Sequence, residues 1–232
     1  MRKNRLFIIL WAFITALPAT AQWSIGASGG YALNIYNYDP QYMTGMEYNV
    51  HDGFTVDIPV GYRFNEHWGV VSGLSLQDRG FVFIARDVDS KPYQNIKRDD
   101  FYLNFPAMAE FSFGKSKWQG FINAGVYAGY WCKSILSYYT LTYLYYFEPQ
   151  HGLTETEMEF SAIKDRRVEI GIVGGVGVMY TPIPSLSLFV LSRCYQALTP
   201  QQKDYQIKRF SSWNTTLTAQ IGIFYNFKSN QK

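Results

Sequence analysis

The chain has 232 residues, a formal charge of +3 and 47% hydrophobic residues, enough for one large β domain or two small ones. Tyrosine (19), phenylalanine (17) and glycine (19) are abundant, which suits strands, turns and interfacial belts more than helices. After residue 20 no run reaches the roughly 18 apolar residues of a membrane helix, and nothing in the charge argues for nucleic acid.

The first 21 residues read as an export signal that is cleaved. Arg2, Lys3 and Arg5 form a basic start, an apolar run covers 6–17, and Pro18 precedes the small-x-small site Ala19-Thr20-Ala21. Cleavage after Ala21 leaves Gln22 first and 22–232 as one domain; no cysteine follows the site to carry a lipid anchor. Without those three basic residues the acidic and basic side chains balance.

Eight strands are expected, in order. The first, 23–35, puts Trp23, Ile25, Tyr31, Leu33 and Ile35 on one face and Ser24, Ser28 and Asn34 on the other. Residues 37–52 have no period and contain Asp39-Pro40 and Gly45, so they read as a loop. The second strand, 54–64, alternates Phe54, Val56, Ile58, Val60, Tyr62 and Phe64 with Thr55, Asp57, Pro59, Gly61 and Arg63. The third, 68–83, begins with Trp68, Val70, Leu74 and Leu76; its phase slips near Asp78-Arg79-Gly80, which reads as a bulge. Residues 86–100 read as a charged loop.

The fourth strand, 101–113, is the clearest. Phe101, Leu103, Phe105, Ala107, Ala109, Phe111 and Phe113 share one side, and Tyr102, Asn104, Pro106, Met108, Glu110 and Ser112 share the other. Soluble strands average about 5–6 residues, whereas a tilted strand needs about 9–11 to cross a bilayer. Pro59 and Pro106 sit on the polar rows, where a local bulge is expected. The fifth strand, 118–130, is followed by the longest irregular region, 133–166. The sixth, 168–180, the seventh, 186–197, and the eighth, 213–227, complete the set. Cys132 and Cys194 fall on the fifth and seventh strands, too far apart for a disulfide, and are expected as free or buried thiols.

Connections after the even strands are about three to five residues and those after the odd strands roughly 13 to 34, the layout of an outer-membrane barrel. A soluble barrel also alternates, with its apolar face inward. Here the polar rows are rich in Gly, Ser, Thr and Asn and poor in Lys, as a narrow interior requires. Aromatic residues gather at both strand ends, and the apolar rows of the even strands carry no charge. The expected fold is an all-β, eight-stranded antiparallel up-and-down transmembrane β-barrel, in contact with outer-membrane lipid.

The stretches YLNFPAMAEFSFG, GFINAGVYAGYW, EIGIVGGVGVMY, LSLFVLSRCYQALTP and IGIFYNF resemble the porin-like outer-membrane β-barrel domain family that includes PorT. The resemblance covers roughly residues 22–228 and implies the outer membrane of a Gram-negative bacterium. It also implies that the aromatic-ended last strand is read by barrel-assembly machinery, although Phe227 here is followed by five more residues.

Inward charges are the candidate site: Asp57, Arg63, Arg79, Glu110, Glu169 and Arg193. Charges in a narrow lumen must be paired or hydrated, so they are expected to lock the barrel shut ahead of conducting solutes, with Glu110 and Arg193 as the first pair to test. An outward surface for a glycan or a protein is formed by Tyr138, Tyr139, Tyr143, Tyr145 and Tyr146; the competing reading is a strand pair that rises above the membrane and packs on itself. His51, beside Asp52, and His151, near Glu155, Glu157 and Glu159, lie in the outer loops and His67 in a short turn; nothing in the sequence points to a base oriented by a third group for catalysis. No phosphate loop and no Cys/His metal spacing occurs, so no cofactor is expected. A narrow solute pore and a lipid-modifying or proteolytic enzyme remain the alternatives to a non-enzymatic structural, adhesive or secretion-associated barrel.

Overall fold

The computed structural model describes residues 22–38, 46–86, 92–114, 116–142, 150–203 and 212–227. Its strands are β1 (Gln22–Tyr38), β2 (Met46–Asn49), β3 (His51–Arg63), β4 (Trp68–Arg86), β5 (Pro92–Phe113), β6 (Trp118–Thr142), β7 (Gln150–Glu157), β8 (Val168–Ile183), β9 (Leu186–Ala197) and β10 (Ser212–Asn226). The order β4-β3-β1-β10-β9-β8-β6-β5 closes through the β4–β5 pairing into an eight-stranded antiparallel barrel, leaving β2 and β7 outside the ring. The first and last long strands, β1 and β10, pair from Ser24↔Asn226 to Tyr38↔Ser212 and so seal the cylinder.

The direction of the alternation is the expected one. Phe105, Ile172 and Leu217 face outward, 51%, 49% and 41% exposed, while Asn104 and Thr216 are fully buried. The outer surface carries Ile25, Val56, Val70, Ile122, Val126, Val176, Val190 and Ile221. In water such a continuous apolar band would be a strong liability; facing acyl chains it costs nothing, and closure leaves no unpaired strand edge within the ring. Rings pair along the short-turn end, as in Trp23–Tyr62, Trp68–Phe111, Trp118–Tyr180 and Tyr225–Phe227. That is the position of an interfacial belt.

Several expectations about the ends are corrected. The 37–52 loop contains β2, and β3 already begins at His51. The charged loop 86–100 is largely strand, because β5 starts at Pro92. The irregular region 133–166 holds the end of β6 and all of β7. Together β2, β4, β5, β6 and β7 continue one antiparallel sheet past the closed ring on the long-loop side. Above the lipid-facing band both faces of a strand meet polar surroundings, so the apolar/polar period fades although the ladder persists.

The phase slip near 78–80 falls on one flank of β4 only: against β3 and then β2 the register moves by one residue between Thr55↔Gln77 and Asn49↔Val82. Against β5 the register stays constant from Trp68↔Phe111 to Ala85↔Gln94, with the pairing interrupted at Gly73 and Leu74, and shifts only between Ala85 and Arg86. Nor is there a bulge at the prolines. Pro59 pairs with Gly73 in an unshifted β3–β4 ladder, and the constant β4–β5 register puts Pro106 on the other flank of Gly73. Two prolines, neither with an amide donor, thus flank one residue of β4. Gly73 has φ +142°, and a Cβ there would collide with the Ile58 carbonyl oxygen, so only glycine fits this close approach.

Candidate functional site

The barrel interior is built in layers, each contributed by several strands. Nearest the short turns it is apolar: Phe121 of β6, Met179 of β8, Phe189 and Leu191 of β9 and Phe224 of β10 pack together. The interior here is thus filled by large side chains rather than small polar ones. Arg63 borders this plug, donating to Gln119 Oε1 at 3.1 Å and lying 4.0 Å from Glu110. A cavity of about 20 Å³ touches Ser24, Arg63, Val71, Glu110, Met179 and Phe224, room for about one water.

The next layer joins β3 to β9 across the lumen. Arg193 Nη1 donates to Asp57 Oδ2 at 3.2 Å, and Thr55 donates to the other Asp57 oxygen at 2.9 Å. The expected Glu110–Arg193 pair is therefore replaced by two pairs, Arg193 with Asp57 and Arg63 with Glu110. Which charges meet depends on strand tilt and stagger, quantities that side-chain alternation does not report.

Above it lies the most connected group. Arg79, fully buried on β4, donates from Nη1 to Glu169 Oε1 of β8 at 2.6 Å and from Nε and Nη2 to Gln77 Oε1 at 2.9 and 2.7 Å. Tyr127 of β6 donates to the same Glu169 oxygen at 2.7 Å, and Asn214 of β10 to the other at 3.2 Å. Asn34 of β1 donates to Asn214 Oδ1 at 3.1 Å and accepts from Thr216 at 2.7 Å. The Arg79 guanidinium also lies 4.9, 5.6 and 5.7 Å from the rings of Tyr102, Tyr127 and Tyr195. Charge, hydrogen bonds and aromatic faces from most of the ring converge on one buried cation.

The uppermost layer was not expected from sequence. Arg98 and Asp100 of β5 pair at 2.8 Å, nearly buried. Gln201, from the segment between β9 and β10, accepts from Arg98 at 2.7 Å and donates to Asp100 and Tyr102 at 3.1 and 3.0 Å. Arg98 lies 4.3 Å from the Phe81 ring and 5.2 Å from Trp131. The signal was present: Arg98 and Asp100 continue the every-second-residue row of Tyr102 and Asn104.

Of the outward tyrosines, Tyr138 is half-buried on β6, opposite Ile96 and Thr154. Tyr139 is in the same strand, opposite Asn95 and Leu153, and its side chain lies outside the described residues. Tyr143, Tyr145 and Tyr146 lie outside them entirely. His151 is in β7, and the His67 ring nitrogen Nδ1 lies 3.0 Å from the Ser112 carbonyl. His51 is not beside solvent but fully buried at the long-loop rim, with Nε2 3.4 Å from Asp78 and 3.4 Å from Asp99. Both cysteines are free and exposed.

A family model described as outer membrane protein beta-barrel domain matches residues 18–228. Among solved structures, Neisserial surface protein A aligns over 89% of this chain and 99% of its own, at 13% identity and TM-score 0.49. The attachment invasion locus protein Ail of Yersinia pestis aligns over 88% and 98%, at 17% identity and TM-score 0.41. OprG of Pseudomonas aeruginosa aligns over 88% and 95%, at 12% identity and TM-score 0.45. Among curated proteins none matches.

Proposed function

Because the chain belongs to the outer membrane protein β-barrel domain family, we propose that it is a small non-enzymatic barrel with a shut lumen, serving a structural, adhesive or secretion-associated role through the strands that rise outside the membrane. The closure of the lumen carries this reading. An apolar plug, two cross-barrel ion-pair layers and the Arg98–Asp100–Gln201 layer succeed one another along the axis. An eight-stranded ring has room for little else.

The sheet beyond the ring supplies the outward surface. Among the described residues β7 pairs only with β6, so its far edge is an open strand edge. Its final residues Thr154, Glu155, Thr156 and Glu157 are exposed. An open edge offers main-chain donors and acceptors to an extended protein segment, and Tyr138 beside it supplies area with a polar tip. Assembly machinery at the aromatic end of β10 and a glycan or protein at the outer sheet are the partners this reading calls for.

Purified protein in a planar bilayer is expected to give no steady unitary currents; steady currents would favour passage of small solutes instead. Loss of a hydrolytic activity on replacing His51 or His151 by alanine, with folding intact, would favour an enzyme. Orientation has its own check. Cys132 lies next to Lys133, which pairs with Glu157 at 2.9 Å in the outer sheet, whereas Cys194 faces outward between Leu217 and Gly174 in the lipid band. On intact cells a membrane-impermeant maleimide should label Cys132 and leave Cys194 untouched until detergent is added. Failure to label Cys132 until the outer membrane is permeabilised would invert the assignment of the long-loop end to the outside.

A further inference from the structure

We propose that His51, Asp78 and Asp99 form a binding site for a divalent transition-metal ion of the zinc type at the long-loop rim. One ligand atom from each lies within 4.8 Å of the others. His51 Nε2 is 3.4 Å from Asp78 Oδ1 and 3.4 Å from Asp99 Oδ1. That spacing is long for a charge-assisted hydrogen bond, which falls near about 2.7–2.9 Å. It matches the edge of a tetrahedron whose centre is about 2.0–2.1 Å from each corner, since the edge is about 1.6 times the bond; those are zinc–nitrogen and zinc–carboxylate lengths. The imidazole nitrogen disfavours calcium and magnesium, which take oxygen ligands.

The backbone places these residues at a gap. The β3–β4 ladder stops at Thr55↔Gln77, and β4 is next paired by β2 at Asn49↔Val82. Asp78 lies in that unladdered interval of β4, His51 lies at the start of β3, and Asp99 lies opposite Gly80 on β5. His51 has no exposed side-chain surface, and its Nδ1 has no hydrogen-bond partner. A buried imidazole aimed at two carboxylates through Nε2 is thus held by burial alone on its other side. A metal would tie β3 to the paired strands β4 and β5 where the main-chain bonds between β3 and β4 lapse. Three protein ligands leave one position of a tetrahedral ion for water or a partner's donor.

One cation already approaches. Lys97 Nζ is 2.9 Å from Asp99 Oδ1, with its side chain 44% exposed. It competes with a metal for that oxygen and has solvent into which to move. Binding therefore exchanges one ammonium contact for a metal bond at Asp99.

The test is calorimetric titration of zinc chloride into untagged, chelator-treated barrel in detergent, with folding of every variant checked by heat-modifiable gel migration. The wild type should bind about one equivalent and show a raised melting temperature. His51→Ala, Asp78→Asn and Asp99→Asn should each weaken binding at least about tenfold. Lys97→Ala, which removes no ligand, should bind more tightly than the wild type. Equivalent uptake by folded His51→Ala, no uptake by the wild type, or weaker binding in Lys97→Ala would each overturn the proposal. If His51→Ala does not fold, the Lys97→Ala comparison and zinc-edge absorption showing the outer-shell scattering of a single imidazole in an otherwise light-atom shell still decide it; absence of imidazole scattering would overturn the proposal.

Discussion

Replacing Glu169 by alanine is expected to lower the unfolding free energy by about 3–5 kcal/mol, the range for stranding one member of a buried ion pair. Arg79 is wholly buried and Glu169 is 4% exposed, and they meet at 2.6 Å. Guanidinium cannot shed its charge at any pH a protein tolerates, so Arg79 cannot escape by neutralising. Its remaining acceptors, Gln77 Oε1 and Asn104 Oδ1, are uncharged. The substitution also takes the acceptors of Tyr127 and Asn214, each a further unsatisfied donor.

The double variant Arg79→Met, Glu169→Leu removes both charges and is expected to lose much less than Glu169→Ala alone, because apolar replacement of a whole buried pair is often near neutral. The exposed pair Lys133–Glu157, 45% and 65% exposed, provides the contrast: Glu157→Ala should change stability by about 0–1 kcal/mol. Urea-dependent folding into phosphatidylcholine vesicles, followed by tryptophan fluorescence, measures all three. A loss below about 1 kcal/mol for Glu169→Ala would mean that water reaches Arg79, and the closed lumen would no longer hold.

The legible part of this molecule was the part the bilayer dictates. Phe101 to Phe113 alternate because one row meets lipid and the other the lumen, and the same pressure fixes the rows of β3, β8 and β10. Where that pressure ends, so does the signal. Pro92 to Asp100 are as much strand as Phe101 to Phe113, yet their composition, with Lys97, Arg98, Asp99 and Asp100 in succession, reads as loop. Which charges pair was hidden for a different reason. Asp57, Glu110 and Arg193 were all legible as inward, but their heights are set by register, and register is fixed jointly by every ladder in the ring. The grouping of His51 with Asp78 and Asp99 was beyond reach of spacing rules, since its members come from three strands and meet where a ladder lapses. Asp52, the carboxylate adjacent in sequence, instead lies beside Tyr31, because successive side chains of a strand point to opposite faces.

Ile221→Arg is expected to destabilise the barrel by about 2–4 kcal/mol, the range for a cation on the lipid face near the midplane. Ile221 is 69% exposed, near the middle of β10, flanked by Gly29 on β1 and Val190 on β9. It makes little contact that an arginine would break, and Gly29 leaves space beside it. Packing alone therefore predicts almost no effect. Ile163 is the matched control: it is 62% exposed but lies in the turn between β7 and β8, outside the ring. In water such a surface change falls within about 0.5 kcal/mol, and Ile163→Arg should do so. The two variants make the same chemical change at nearly the same exposure, and only the medium against the side chain differs. Measured together in lipid vesicles, a large loss at 221 and none at 163 is the outcome that a hydrocarbon-facing surface demands. Equal small effects at both sites would mean that the apolar band of this barrel does not face hydrocarbon.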